Sequence, residues 1–383
     1  MKLTKCLITT LTMLSLSVPT LYAEDTAKKI TKPKIEVCFV LDTTGSMGGL
    51  IQGAKEKIWS IANEIVDADP TPELKIGLVG YRDRGDQYIT KQFPLTDDID
   101  AIYGDLLGFR AGGGGDGPES VNQALHEAVT DMKWSKSKEV LKIIFLVGDA
   151  PPHMDYQDDV KYPEVCQLAM KNDLIINTIQ CGNNRSATGI WQEIASKSEG
   201  DYAAILQSGG TIAISTPFDD EIAALNSRLN HTVLAYGSEE ARASVRMKVS
   251  NNSVASAETV ASRAGYLSKQ KMAGAAFAKQ VSGDNDLIAL LAENKISKDN
   301  IEVEKLPEKA KEMSVEERNA WIDTQLEERK QAQTNLTELL KKRDAFVKVE
   351  KDKLAKAGKG DGFDEQVSKS LRAQAAKKGI FYK

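Results

Sequence analysis

Asp42, Thr44 and Ser46 stand at alternate positions in the stretch DTTGS, so one tight loop can aim a carboxylate and two hydroxyls at a single point. Hard oxygen donors of this kind suit Mg²⁺, Ca²⁺ or Mn²⁺ and suit zinc or copper poorly. The same residue types also cap helices, with Thr44 or Ser46 accepting from the first amides of a following helix while Asp42 bonds backbone amides. Donors converging from elsewhere in the chain would separate the two readings.

The element that positions this loop is the apolar run Ile35 to Leu41, which reads as a strand buried on both faces inside a parallel sheet. Asp42 then lies at the strand's carboxyl end, where an open α/β sheet forms its ligand crevice. Two other stretches have the same character. In Ala111 to Ser120, AGGGGDGPES, four consecutive glycines let the backbone fold closely beside a ligand, and Pro118 suits the first turn of a helix. A phosphate cradle is not indicated there, because no GxxxxGK[ST] pattern is present; Gly48 to Lys55 has the spacing without the residues. The strand-like run Val140 to Val147 is followed by Gly148 and Asp149, and Pro151 and Pro152 forbid its continuation. His153, just beyond, reads as a turn residue whose imidazole bonds nearby carbonyls, outside an all-oxygen site.

DTTGSM resembles the metal-ion-dependent adhesion site of von Willebrand factor A domains. GGGDGPES, VGDAPPH, YPEV and TIQCGN are similar to secreted bacterial A domains and to the A domain attached to one group of alpha-kinases. The likeness covers about the first 230 residues, and nothing after Leu234 resembles a kinase, so kinase activity is not carried over. The resemblance implies a doubly wound, mostly parallel sheet with a divalent ion held at its carboxyl edge by three loops, here Asp42 to Met47, Gly112 to Ser120, and Gly148 with Asp149. It implies Asp149 as the third-loop ligand. Most of the family uses a threonine in the second loop, where this chain carries Asp116. A carboxylate there cancels charge that a hydroxyl leaves exposed, so the ion is held more tightly and draws an external carboxylate less strongly. The expected ligand set is Asp42, Thr44, Ser46, Asp116 and Asp149 around Mg²⁺, with Ca²⁺ or Mn²⁺ as alternatives.

The remaining pattern agrees with an α/β fold. Ile51, Ala54, Ile58, Ile61 and Ile65 form a helical stripe; strands are predicted over Leu74 to Tyr81, Tyr88 to Leu95, Leu174 to Cys181 and Tyr202 to Leu206. Helices are predicted over Asp97 to Gly108, Pro163 to Asn172, Ile190 to Ser198 and Ala213 to Leu229, and this repeated order is the signature of a doubly wound sheet. After His231 the composition shifts to Lys, Glu, Ala and Ser, predicting an α-helical C-terminal region. Ser314 and Glu317 form a capping-box signal that opens a long helix ending at Gly358 to Gly362. A shorter helix, Phe363 to Lys378, closes on Gly379 with Ile380 as the apolar contact of a glycine cap. The apolar stripe of this region can pack on the A domain, on another of its own helices or on a second copy, and periodicity does not choose.

The chain has 383 residues, 41% hydrophobic and 27% charged, which is globular composition with room for a second region. A net charge of -5 with no sustained basic stripe argues against a nucleic-acid partner. Met1 to Ala23 carries Lys2 and Lys5, then an apolar run, then Leu21-Tyr22-Ala23 before Glu24, a layout that predicts a secretory signal cut after Ala23 and a periplasmic or secreted protein. A membrane anchor needs ~20 apolar residues, and Thr9, Thr10, Thr12, Ser15 and Ser17 dilute this one; no membrane span is expected after its removal. The expected organisation is therefore a signal at 1–23, a linker at 24–34, an A domain at 35–230 and a helical region at 231–383. Cys6 leaves with the signal, Cys38 is expected to be a buried thiol, and Cys166 with Cys181 is the expected disulfide, since a helix start and the following strand's end share one sheet edge. No CxxC or Cys/His cluster points to zinc.

The function expected from these features is non-enzymatic binding of a protein, or another carboxylate-bearing ligand, through the ion. The alternatives are a metal-assisted hydrolase, for which Glu119 or His153 would be the base, and a scaffold in which the ion only stiffens loops.

Overall fold

The computed structural model describes residues 32–115, 117–210, 214–272, 285–357 and 362–382. The predicted signal, most of the linker and Asp116 lie outside the described residues, as do Ala213 and Gly358 to Asp361 at predicted helix boundaries. The described residues belong to one compact unit.

In chain order the elements are β1 (Lys34–Asp42), α1 (Gly48–Val66), β2 (Ala68–Asp69), β3 (Glu73–Tyr81), β4 (Thr90–Thr96), α2 (Ile99–Gly108), α3 (Val121–Thr130), β5 (Leu141–Gly148), α4 (Tyr162–Lys171), β6 (Leu174–Cys181), α5 (Arg185–Lys197) and β7 (Tyr202–Ile205). Beyond them come α6 (Asp219–His231), α7 (Glu239–Ser253), α8 (Ala257–Met272), α9 (Leu287–Ala292), α10 (Glu308–Lys311), α11 (Val315–Lys356), α12 (Gly362–Lys377) and β8 (Phe381–Tyr382). The six-stranded sheet runs β4-β3-β1-β5-β6-β7, all parallel except β4, which pairs antiparallel with β3 at one edge. This is the doubly wound, mostly parallel sheet that the strand–helix alternation predicts. β1 lies near its centre because both of its faces are apolar: from Ile35 onward every residue is buried.

Alternate side chains of β1 feed two cores. Ile35, Val37, Phe39 and Leu41 meet α1, α2 and α12, whereas Cys38 and Val40 meet α3, α4 and α5. The same alternation overturns the predicted disulfide. Cys166 belongs to the α3–α5 side and Cys181 to the α1 side, so the two thiols share a sheet edge but lie on opposite faces, and both are free.

The C-terminal stripes find two different partners. In α12, Phe363, Val367, Leu371 and Ala375 are all buried in the first core, with the Phe363 ring 6.3 Å from that of Phe39. Lys57 and Asp364 pair at 2.9 Å beneath it. Gly379 takes the left-handed conformation (φ 72°) and the Ile380 amide donates to Ala375 O at 3.0 Å, the glycine cap expected from the sequence. In α11, Ser314 and Glu317 complete the capping box, and Leu336, Leu339 and Leu340 pack on α6 and α8.

Buried charge pairs fix this helical layer. The Arg263 guanidinium donates to both oxygens of Asp100 at 2.7 Å, and Arg343 Nε donates to Asp219 at 2.7 Å. Arg329 lies 2.7 Å from Asp286. Removing one partner of such a pair costs about 3–5 kcal/mol, because the other charge is left buried alone. Among the described residues no helix is long and apolar enough to cross a membrane.

Candidate metal centre

At the carboxyl end of β1 the Asp42 side chain is fully buried. Its Oδ1 accepts from the Thr44 amide at 2.8 Å and from Thr44 Oγ1 at 2.6 Å, and the Thr44 and Ser46 hydroxyl oxygens are 3.4 Å apart. Oδ2 has no hydrogen-bond partner of good geometry. Thr44 stands at the head of the short turn leading into α1 yet makes no side-chain cap bond, because its hydroxyl is turned back to Asp42. The capping alternative therefore fails at Thr44.

The third loop approaches through Gly148. A Cβ at that position would overlap Tyr81 Oη and lie 3.0 Å from Asp42 Oδ2, so only glycine lets β5 deliver Asp149 beside Asp42. Gln207, in the segment after β7, donates to Asp149 Oδ2 at 2.6 Å and reaches Ser46 O at 3.4 Å, tying the third loop to the first.

The glycine-rich second loop folds over both. The Gly112 amide donates to Thr43 O at 3.1 Å and the Gly45 amide to Gly113 O at 3.2 Å. Gly113 and Gly114 both take φ +78°, which side chains tolerate poorly, and Asp86 fixes them by accepting from the Gly114 amide at 3.0 Å. Arg82 supports the arrangement from below, donating to Thr43 O at 3.2 Å and Arg110 O at 2.6 Å. Asp116 itself lies outside the described residues.

Glu119, at the end of this loop, is only 4% exposed, and its Oε2 is buried with no partner. Its amide donates to Pro151 O at 2.9 Å and its carbonyl accepts from the His153 amide at 3.0 Å, stitching the second loop to the third. Ser46, Gly113, Glu119, Asp149, Asn183 and Gln207 line the resulting open cleft of about 370 Å³.

Like charge and burial act together here. Burial pushes the Asp42 carboxyl up to about 7, and the Asp149 charge adds to the effect. Burial likewise pushes Glu119 up to about 9, with Asp42, Asp83, Asp86 and Asp149 contributing repulsion. Tyr81 is driven well above the usual phenol range by burial and by the same carboxylates. A nearby cation would favour the charged form of each of these groups. Among the described residues no three His, Cys, Asp or Glu side chains are grouped so that they could hold a metal ion. The donors here include two hydroxyls, and with the orphaned Asp42 oxygen and a glycine cradle they fit a hard divalent ion.

His153 is not the turn residue expected. Its ring lies 3.3 Å from Asp83 on the Nε2 side and 2.8 Å from Asp155 on the Nδ1 side, and stacks on Tyr156 at 4.0 Å. Tyr156 and Ser120 in turn donate to Asp83 at 2.9 and 2.8 Å. The partners are carboxylates rather than carbonyls, and this cluster braces the loops from outside the cleft. Sequence reasoning missed Asp83, Tyr156 and Gln207 as parts of the site's support; none stands in a spacing that marks it.

Fold and site together define a doubly wound α/β domain that gathers oxygen donors from several loops at the carboxyl edge of its sheet. The sequence model of the von Willebrand factor A domain matches residues 36–217, and this part of the chain is a von Willebrand factor A domain. Domains of this family are commonly metal-dependent protein-interaction modules. The chain is 27% identical over 156 residues to a putative ariadne-like RING finger protein, R811, of Acanthamoeba polyphaga mimivirus; the match covers 41% of this chain and 15% of that protein. Among solved structures it is similar to the SpRpn10 VWA domain, with 17% identity, 45% of this chain and 88% of that one covered, and a TM-score of 0.35. It is also similar to proximal thread matrix protein 1 of the mussel byssus with a zinc-occupied MIDAS motif, with 19% identity, 46% and 42% covered, and a TM-score of 0.36.

Proposed function

We propose that this protein is a divalent-cation-dependent binding module whose A domain receives an acidic side chain of a partner protein, or another carboxylate-bearing ligand, at the cleft between its three loops. The observation that carries this reading is the buried Asp42 Oδ2 with no hydrogen-bond partner of good geometry, lying against Gly148, within reach of the Asp149 charge and adjoining the Thr44 and Ser46 hydroxyls. Asp42, Thr44, Ser46 and Asp149 hold the ion, with Asp116 added from the family resemblance. Mg²⁺ is the ion proposed, Ca²⁺ and Mn²⁺ being the alternatives that an all-oxygen set admits. When bound, the ion supplies Lewis acidity toward an oxygen donor at its open position. Gln207 keeps Asp149 turned toward that position, and the glycine loop leaves it open to the cleft.

The site is read as binding rather than catalytic. His153, one of the two candidate bases, is held between Asp83 and Asp155 with its ring against Tyr156. Residues 1–23 are read as an export signal from Lys2, Lys5 and the small residues before Glu24, so the module works in the periplasm or outside the cell, without a nucleic-acid partner. Residues 35–230 form the proposed A domain and 231–383 a helical region, part of which packs against it.

The test is a pull-down from periplasmic or culture-supernatant extract, with and without chelator at constant ionic strength, alongside Mg²⁺ titration calorimetry of the isolated chain. Chelator-sensitive capture with loss of Mg²⁺ binding in Asp42→Asn supports the proposal; capture indifferent to chelator rejects the mechanism.

A further inference from the structure

Resting on that reading, we infer that the partner presents an acidic stretch rather than a lone carboxylate, its flanking acids seating on Lys55 and Arg110 at one lip of the cleft and on Arg185 at the other. Lys55 Nζ and Arg110 Nη1 donate to the same carbonyl, Phe109 O, each at 2.8 Å, and Arg110 Nη1 also donates to Leu107 O. One cation is enough to meet the last carbonyls of α2. Two held together repel, and burial together with the Arg110 charge keeps the Lys55 ammonium below its ordinary range. Among the described residues neither forms an ion pair, and the same holds for Arg185. Arg185 is the exposed first residue of α5, in a turn without acids. A helix N-terminus carries partial positive charge and favours acids, so an arginine there is set against the dipole. The second cation at α2 and the arginine at α5 do nothing for the fold's own electrostatics, and both border the cleft.

The sheet order sets these cations on opposite sides of the ion's place. Asp42 ends β1 and Asp149 follows β5, the neighbouring strands at the middle of the sheet. Phe109 packs against Gly80 of β3, the strand next to β1, and Ala111 lies over Gly48 where α1 begins. Arg185 follows β6, the strand next to β5, and Asn183 and Asn184 just before it line the cleft. Strands stand about 4.8 Å apart, so each lip is within two or three residues of an extended partner, at ~3.3 Å per residue, from the acid that meets the ion. The loop beyond the cleft has its own charges matched: Asp155 is 2.8 Å from His153, and Asp158 and Asp159 are 2.9 and 2.7 Å from Arg84. Negative charge that a partner brings beyond its first carboxylate therefore finds its complement at Lys55, Arg110 and Arg185.

The experiment is fluorescence anisotropy of the full chain in MgCl₂ with two labelled Gly/Ser peptides, one bearing a single central aspartate and the other a glutamate added three residues to either side of it. Wild type should hold the three-acid peptide about fivefold tighter, each exposed charge contact giving a few-fold. That gain should shrink as NaCl rises. The ratio of the two affinities should fall in Lys55→Ala/Arg110→Ala and in Arg185→Ala, and reach one in the triple variant. Should the one-acid peptide bind too weakly to register, the three-acid affinity itself is the readout, and the triple variant should lose about fivefold. A gain absent in wild type, or intact in the triple variant, overturns this surface while metal-dependent capture of the one-acid peptide stands. Asp42→Asn holding the three-acid peptide at wild-type affinity overturns it too, since the flanking acids would then bind without the ion. If neither peptide binds while calorimetry shows Mg²⁺ bound, carboxylate recognition and this surface fall together. The ratio is taken within each variant, so partial misfolding cancels; if the alanine forms do not fold, Lys55→Gln, Arg110→Gln and Arg185→Gln carry the test.

Discussion

Asn177 of β6 and Gln374 of α12, 197 positions apart in the chain, exchange two amide hydrogen bonds of 3.1 and 2.6 Å inside the molecule. Asn177 Oδ1 also accepts from the Asp201 amide at 2.8 Å, so the pair joins α12 to the sheet and to the turn before β7. A helix from the far end of the sequence is therefore structural to the A domain's own core. Gln374→Leu should cost about 1–3 kcal/mol by leaving the buried Asn177 amide short of a partner. Phe363→Ala should cost about 3–5 kcal/mol through the cavity left against Phe39. Urea unfolding measures both, and an unchanged midpoint for Phe363→Ala would exclude α12 from the core.

Stability without metal should fall as pH rises. Asp42 is pushed up to about 7 in the folded chain, against an ordinary carboxyl value of 3.8, so between those values the folded state binds more protons than the unfolded one. Under that condition the unfolding free energy decreases with pH, and the cost is fully present above about pH 7. Glu119, pushed up to about 9, extends the fall toward alkaline pH. Melts from pH 5 to 8 should show a declining midpoint in chelator and a flattened one in saturating Mg²⁺. A metal-free midpoint that climbs over this range would contradict the electrostatics described.

Gly148→Ala tests the closeness of β5 to Asp42. The added Cβ overlaps Tyr81 Oη and crowds Asp42 Oδ2, so about 1–3 kcal/mol of stability should be lost together with Mg²⁺ affinity. Adding Tyr81→Phe removes the overlapping hydroxyl and should restore part of the stability. Mg²⁺ binding should stay weak, since the crowding of Asp42 persists.

Gln207 is exposed, and its amide bond to Asp149 contributes little to folding. Gln207→Ala should leave the urea midpoint within about 0.5 kcal/mol of wild type. It should weaken Mg²⁺ roughly tenfold by freeing the Asp149 carboxylate to turn. Equal affinity in calorimetry would mean that Asp149 is oriented without it.

What could be read in the sequence follows from how local the controlling physics is. β6 spans Leu174–Cys181 as its apolar run predicts, and the capping box at Ser314 and the glycine cap at Gly379 are set within a few residues. The destination of α12 was not legible, because an amphipathic stripe has the same period whatever covers it. The Cys166–Cys181 expectation failed on side rather than on position: chain direction fixes which edge a residue reaches, but the face depends on the strand's alternation. At the site, Asp42, Thr44 and Ser46 could be grouped because one loop carries them, and Asp149 entered only through a family pattern. Gln207 and the Asp83–His153–Tyr156 cluster acquire their roles from loops that meet only in the folded chain.

The sheet's last strand ends at Ile205, yet the helix that seals one of its faces begins at Gly362. While a ribosome is still making the residues between them, the face carrying Phe39 and Phe145 lacks part of its cover. Throughout that interval the nascent chain presents an oily surface that chaperones can grip and that other unfinished copies can stick to, so the emergence of α12 decides when that face is safe from aggregation.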